Sequence, residues 1–172
     1  IEAIADVTKA IPAERTAVEF SVAGQHLSRL VTGVLAKLID IDPAVWKLRR
    51  QKDTDELTMI AHAIRCTEAM YQRAREIIEP GITELQMFGQ LHAVAVETAG
   101  EQLTALGNDY QCNSPGGPPR DRAAQDGELY ILDLGPAYRG YYADNCRTIA
   151  VNRRPTDDQH RAWRTVVAVL DV

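Results

Sequence analysis

One acidic residue set inside an apolar strand constrains this chain more than any other feature. Glu128-Leu129-Tyr130-Ile131-Leu132-Asp133-Leu134 reads as a strand covered on both faces, interrupted only by Asp133. Tyr141 to Val151 reads as a second strand, with Asp144 near its start. Between them runs Gly135-Pro136-Ala137-Tyr138-Arg139-Gly140, a loop with a glycine at each end, so the whole predicts a hairpin. The two aspartates are equally far from the loop's midpoint. An unbulged antiparallel pairing sets them opposite each other on one face, with Cβ atoms about 5 Å apart. Two carboxylates at about 5 Å repel by about 3 kcal/mol at an effective dielectric of about 20. A shared proton relieves that cost. So does a divalent cation, or a pair of cations about 3.5–4 Å apart that activates water and holds a carbonyl. An aspartate beside a turn often only shapes the turn. An acid that interrupts an apolar strand and has a symmetric partner calls for more.

The remaining pattern is helical and short-stranded. Asp53 and Glu56 have capping-box spacing. Leu57, Ile60, Ile64, Tyr71, Ala74 and Ile78 then recur at helical steps, with a gap near Thr67, until Glu79-Pro80-Gly81 stops the helix. Thr83 and Gln86 cap a second helix, with Leu85, Phe88, Leu91 and Ala95 on its apolar face and Gly100 at its end. Thr156 and Gln159 cap a third, through Trp163, Val166, Val167 and Leu170. Asn113 to Pro119 is a rigid, turn-rich loop. Upstream, residues 1 to 48 read as a small α/β piece. It has a strand over Arg15 to Phe20, helical spacing at Leu27, Leu30, Val31 and Val34, and a strand Leu38 to Ile41 closed by Asp42-Pro43. Trp46 to Lys52 is a basic connector, and the domain boundary is placed after Leu48.

Composition removes several function classes. The net charge of −5 argues against a nucleic-acid surface, and no basic stripe offsets it. The longest apolar run, Val166 to Leu170, is far short of a membrane crossing. Cys66, Cys112 and Cys146 are scattered without CxxC spacing, which suits a reducing cytoplasm and argues against a structural zinc site. The chain begins at Ile1 and stops at Val172 inside a helical pattern, so both ends read as cuts in a longer protein.

The hairpin segment resembles a known family. Gly127 to Gly135, Tyr138-Arg139-Gly140-Tyr141 and Asp144-Asn145-Cys146-Arg147-Thr148 look like the metal-binding hairpin of Xaa-Pro aminopeptidases and prolidases, whose wider group includes methionine aminopeptidases and creatinase. Trp46 to Glu56 is similar to that family's domain junction, and Glu79 to Glu84 to the turn between its first two catalytic-domain helices. Asp121-Arg122 with Gly127-Glu128 is similar to the approach to the first ligand strand, so the likeness spans residues 40 to 171. The resemblance implies an α+β pita-bread fold. Residues 49 to 172 would be the first half of its catalytic domain, and residues 1 to 48 the end of a creatinase-type α/β N-terminal domain.

The family places two aspartates on the first half and a histidine and two glutamates on the second, holding two divalent ions. By position the aspartates are Asp133 and Asp144; manganese or cobalt is implied, zinc less so. The other three ligands would lie beyond Val172, and His26, His62, His92 and His160 do not match the family's ligand histidine. A substrate-contacting histidine is usual in the loop before the first ligand strand, and Gly116 stands at that position here. Arg120 nearby cannot shuttle a proton at neutral pH and reads as a loop-surface residue. The implied function is metal-dependent hydrolysis of an N-terminal peptide bond, Xaa-Pro aminopeptidase-like, on a peptide or small amide. A homodimer is implied, with catalytic activity expected of the full-length protein rather than of these 172 residues. The alternatives are a non-peptidase hydrolase or lyase of the same fold, and an inactive binding module.

Overall fold

The computed structural model describes residues 17–25, 39–107 and 109–170. The chain divides between Asp53 and Thr54 into two compact units. In the first, β1 (Ala17–Val18) pairs in parallel with β2 (Ile39–Asp40). The segment read as a basic connector is largely a helix, α1 (Asp42–Arg50). Pro43 lies in its first turn, where a missing N–H costs nothing, and Lys47, Arg49 and Arg50 lie in its last, where cations favour the helix dipole. Asp42 accepts from the Ser21 N–H at 2.9 Å and the Ser21 hydroxyl at 2.8 Å. The helical spacing of Leu27 to Val34 lies outside the described residues.

The second unit is α+β. It opens with α2 (Thr54–Ile77) and α3 (Glu84–Ala99). The α3 capping box forms as its spacing predicts. Thr83 Oγ accepts from the Gln86 N–H at 3.0 Å, the Gln86 side chain accepts from the Thr83 N–H at 2.9 Å, and Gly100 ends the helix at φ +70. The buried stripe of α2 differs from the one read in the sequence. Ala63, Cys66, Thr67, Met70, Tyr71 and Ala74 are buried, whereas Leu57 and Ile64 are exposed. Small side chains let the helix approach the sheet closely, so the true face runs through the apparent gap at Thr67. On α3, Leu85 is likewise exposed, and Glu84, Met87, Leu91, Ala95 and Ala99 are buried.

The sheet is organised around β5 (Leu129–Tyr138). On one side lie β3 (Ala105–Gly107) and β4 (Tyr110–Cys112); on the other lie β6 (Tyr141–Tyr142) and β7 (Asn145–Ala150). All pair antiparallel with β5. β5 is not covered on both faces as the sequence suggests. Tyr130, Leu132 and Leu134 are buried, while Leu129, Ile131 and Asp133 are only half-buried. Met70, Met87 and Leu91 share the core with the buried set. α4 (Asp157–Leu170) follows, opened by the predicted Thr156–Gln159 box. Its Trp163, Val166, Val169 and Leu170 are exposed.

Gly135-Pro136 is not part of a loop. β5 runs through it to Tyr138, with β3 paired to Gly135 and Pro136 on one side, while on the other side the flanking strand lapses at its level, between β6 and β7. Proline has no N–H to give a neighbour, which accounts for a lapse in the ladder there. The turn itself is only Arg139-Gly140, with Tyr138 paired to Tyr141. Both turn residues have positive φ, +50 and +87, the type I′ conformation that matches strand twist. Arg139 grips Glu101 through two 2.8 Å bonds, and the Gly140 N–H donates to Thr104 Oγ at 3.0 Å, so the turn is tied to the segment after α3.

Candidate metal centre

The short turn corrects the expected pairing of the two aspartates. Asp133 faces Cys146 and Leu134 faces Asn145, while beyond the lapse Ala137 faces Tyr142. The same register carried across the lapse sets Asp144 opposite Gly135. A loop thought to be centred between Tyr138 and Arg139 is centred between Arg139 and Gly140, which slides the register by two residues. An even slide preserves the face. Asp144 therefore keeps the face of Asp133 but takes a diagonal place, where Cβ atoms sit about 7–8 Å apart. Their repulsion falls from about 3 to about 2 kcal/mol on the same dielectric. Asp133 is half-buried and Asp144 exposed.

The acid directly opposite Asp133 is Asp109, across the other edge of β5. The two residues exchange backbone hydrogen bonds, Asp109 N–H to Asp133 O at 3.1 Å and Asp133 N–H to Asp109 O at 3.0 Å. Residues paired this way point their side chains to one face. One row therefore runs Asp109, Asp133, Cys146, with Asp144 on the diagonal. The Cys146 thiol registers the gathering. Partial withdrawal from water, then the charges of Asp133, Asp109 and Asp144, push its pKa up, and Arg147 opposes them. Sequence reasoning missed Asp109 because its strand, Tyr110–Cys112, is too short for periodicity to reveal. The only available signal was a β-former, Tyr110, directly after an acid.

Behind this face Tyr71 fixes the ladder from α2. Its hydroxyl lies 2.9 Å from Leu132 O and 2.6 Å from Asn145 O, bridging β5 and β7 beside Asp133 and Cys146. Burial, with the neighbouring Cys146 next, drives its ionisation far above the ordinary phenol range. Tyr71 therefore stays a neutral clip.

In front, the loop from Asn113 to Pro119 is fastened to Asp109. Asp109 Oδ1 accepts the Gly117 N–H at 2.7 Å, and Gly117 O accepts the Tyr110 N–H at 2.9 Å. Gly116 and Gly117 have φ of +131 and +130, a region that suits glycine. A Cβ at Gly116 would lie 2.8 Å from Asp109 Cγ. The position where the resemblance expects a histidine is thus one that glycine fits here, with a carboxylate beside it.

Arg120 is not a plain surface residue. Its guanidinium clasps Glu84, fully buried, with Nε at 2.8 Å from Oε2 and Nη2 at 2.6 Å from Oε1. Glu84 also accepts the Arg120 N–H at 2.9 Å and the Cys112 N–H at 3.1 Å. Burial alone would raise the Glu84 pKa, but Arg120 and these N–H donors outweigh it and hold it at about 2. Arg122 pairs in the same way with Glu128, also held at about 2. Between the pairs, burial and the Glu84 contact push the Cys112 thiol up to about 11. Among the histidines, His62 stacks on Tyr138 with centroids 4.1 Å apart, His92 and His160 are exposed, and His26 lies outside the described residues.

As donors, Asp133 and Asp144 are hard oxygens of the kind that hold manganese, magnesium or calcium, whereas the Asp109 carboxylate is engaged by the Gly117 N–H. Among the described residues, no group of three or more His, Cys, Asp or Glu side chains is drawn together closely enough to hold an ion. The carboxylates present fit one edge of a metal site, not a closed cage.

Residues 58–172 match the profile of metallopeptidase family M24. A Bacillus subtilis protein described as an uncharacterized peptidase, YqhT, is 26% identical over 136 residues, covering 76% of this chain and 38% of its own length. The Xaa-Pro aminopeptidase of Escherichia coli is 26% identical over 149 residues, covering 79% and 32%. This chain therefore spans between a third and two fifths of those relatives. Among solved structures, the prolidase of Pyrococcus furiosus superposes with a TM-score of 0.74 at 21% identity, covering 88% of this chain and 46% of that one. The X-Pro aminopeptidase of Thermotoga maritima gives 0.69 at 24% identity, covering 83% and 41%. The fold is thus α+β and matches about half of a pita-bread structure, and with most of its length inside the family profile the chain belongs to metallopeptidase family M24.

Proposed function

We propose that this chain carries two ligands, Asp133 and Asp144, of a divalent-metal centre in a hydrolase that cleaves N-terminal peptide bonds, Xaa-Pro bonds foremost. The observation that carries the reading is the shared face of these two acids in a chain of this family. Two carboxylates leave a hard cation short of ligands, so further donors would come from outside these residues. Manganese or cobalt fits the oxygen donors, with zinc as a further option. The ions supply Lewis acidity and a water activated near neutral pH. The chain's own residues hold the geometry. Tyr71 locks β5 to β7, the Arg139-Gly140 turn fixes their register, and Asp109 sets the facing loop. The expected setting is a cytoplasmic homodimer acting on a peptide or small amide. No helix among the described residues is long and apolar enough to cross a membrane.

Gly116 favours a second reading, a non-peptidase hydrolase or lyase of the same fold. It has no side chain with which to contact a peptide carbonyl.

One experiment divides these readings from an inactive binding module. Thermal melts of the full-length protein and of Asp144→Ala are recorded with and without manganese, beside an assay on an Xaa-Pro peptide. The hydrolase should be stabilised by manganese through mass action, should cleave the peptide, and should lose both properties in Asp144→Ala. A manganese shift without cleavage favours the second reading. A wild-type melt indifferent to manganese sinks the metal assignment. The 172 residues alone should bind manganese weakly and turn nothing over.

A further inference from the structure

We infer that Asp109 is a positioning residue of this site. It acts through the single acceptor it offers the Gly117 amide, and so sets the Asn113–Pro119 loop against the strand that carries Asp133. The inference rests on the proposed metal-dependent reaction only for its kinetic consequence. The geometry stands by itself. Asp109 is fastened to Asp133 by a reciprocal pair of backbone hydrogen bonds at 3.1 and 3.0 Å, so its Cα cannot move without the metal strand. Its side chain carries the second tie, and Oδ1 takes the Gly117 N–H at 2.7 Å. The loop is also held through Gln111, whose amide donates to Pro118 O at 2.7 Å, through the Tyr110–Gly117 backbone bond, and at its start through the Asn113 N–H to Leu129 O at 2.9 Å. Those contacts fix the loop to β4 and to the start of β5. The Asp109 side chain adds a tie from the Gly117 amide to the residue that faces Asp133.

Glycine at 116 is the complement of this anchor. With φ at +131 and the Asp109 carboxylate in the space a Cβ would claim, any side chain there displaces the carboxylate and breaks the anchor. The loop therefore borders the metal face with backbone, at a height set by one hydrogen bond. A substrate entering beside Asp133 meets that edge before it reaches the metal. Asp109 should govern substrate docking and leave ion binding to Asp133 and Asp144.

Asp109→Asn keeps an oxygen acceptor of the same reach and removes the charge. Asp109→Ala removes both, and Gly116→Ala keeps Asp109 but evicts it. The readouts are amide hydrogen exchange at Gly117, manganese affinity by calorimetry, and KM and kcat on an Xaa-Pro peptide, all in the full-length protein. Asp109→Asn should behave as wild type. Asp109→Ala and Gly116→Ala should speed Gly117 exchange and raise KM by roughly tenfold, the fold-change that matches loss of one hydrogen bond, with kcat and manganese affinity unchanged. If Asp109→Asn is as impaired as Asp109→Ala, or manganese affinity drops in both, charge is the operative property and the inference is wrong. Unaltered Gly117 exchange in Asp109→Ala also overturns it. If the wild type cleaves no such peptide, the substrate reading fails separately, and Gly117 exchange still decides the anchor.

Discussion

Two groups of carboxylates lie at opposite ends of β4, one at Cys112 and the other beside Tyr110, and they are built on opposite plans. Glu84 and Glu128 come with their own cations. Arg120 and Arg122 clasp them, backbone N–H groups fill the remaining lone pairs, and both acids are held at about 2. Asp109, Asp133 and Asp144 lie on a face where the charges that reach Cys146 are three acids against one arginine. A neutralised cluster fixes structure and gains nothing from an added ion. A like-charged cluster is costly as built and improves when a cation arrives. The contrast separates acids that are clasped by arginines from acids that share a face with other acids.

The comparison breaks most sharply where a cation can be taken from the first cluster. Arg120→Ala should destabilise the protein by about 2–4 kcal/mol, because it strands a buried carboxylate. Urea denaturation at neutral pH measures this. Arg147→Ala, beside the second cluster, should cost under about 1 kcal/mol, as an exposed side chain whose hydrogen bond goes to the neighbouring Cys146 carbonyl. Equal costs would mean that the two clusters do not differ in kind.

Acid titration sharpens the same contrast. Glu84 is held at about 2 in the fold against 4.5 ordinarily. A depressed carboxylate contributes stability that is complete above the ordinary value and is lost as pH falls through the folded one. Stability should therefore decline between about pH 4.5 and pH 2, with Glu84 contributing about 2 kcal/mol after discount for the partial exposure of Arg120. Glu84→Gln should be less stable at pH 7 and flatter across that window. Its remaining slope would reflect Glu128. A wild-type curve that is flat from pH 4.5 to 2 would show that the Glu84 clasp is not a stability element.

Much of this was legible in the sequence, and the misses share a cause. The helix caps at Thr83 and Thr156, the stop at Gly100 and the acid inside β5 are local signals, and all appear where spacing puts them. Gly135-Pro136 looked like a turn because both residues punctuate chains. The sheet tolerates them by letting the strand on one side lapse, between β6 and β7, a long-range adjustment invisible to local reading. Leu57 and Ile64 looked like core for the same reason, since helical periodicity cannot say which of two neighbouring stripes the sheet will cover. Glu84 and Asp109 were hidden because their partners lie 36 and 24 residues away in the chain, at Arg120 and Asp133.

The turn that sets the register gives a smaller effect. Gly140 has φ of +87 with open space around its Cβ position, so Gly140→Ala meets no clash and costs only the conformational penalty, about 1 kcal/mol. The penalty falls on the turn that keeps Asp144 diagonal to Asp133. A thermal melt should drop modestly while both carboxylate clusters persist. A two-residue slip in register would instead bring Asp144 opposite Asp133, which cross-strand amide NOEs would reveal as contact between those two residues in place of Asp133 and Cys146.

The smallest effect tests the second cluster most directly. Asp144 is exposed, so Asp144→Ala removes little packing. It also removes one of the negative charges gathered around Cys146. In metal-free, low-salt buffer the variant should be unchanged or more stable by up to about 1 kcal/mol, the reverse of what Arg120→Ala does at the other cluster. Salt should erase that gain, because screening weakens the repulsion that the substitution relieves. Manganese should reverse the order of stability. Wild type should rise by mass action, and the variant, with one oxygen ligand fewer, should rise much less. A crossing of the two melting curves as manganese is added is the expected signature. If Asp144→Ala is instead destabilised by more than about 1 kcal/mol without metal, Asp144 is a structural residue, and the two clusters are alike.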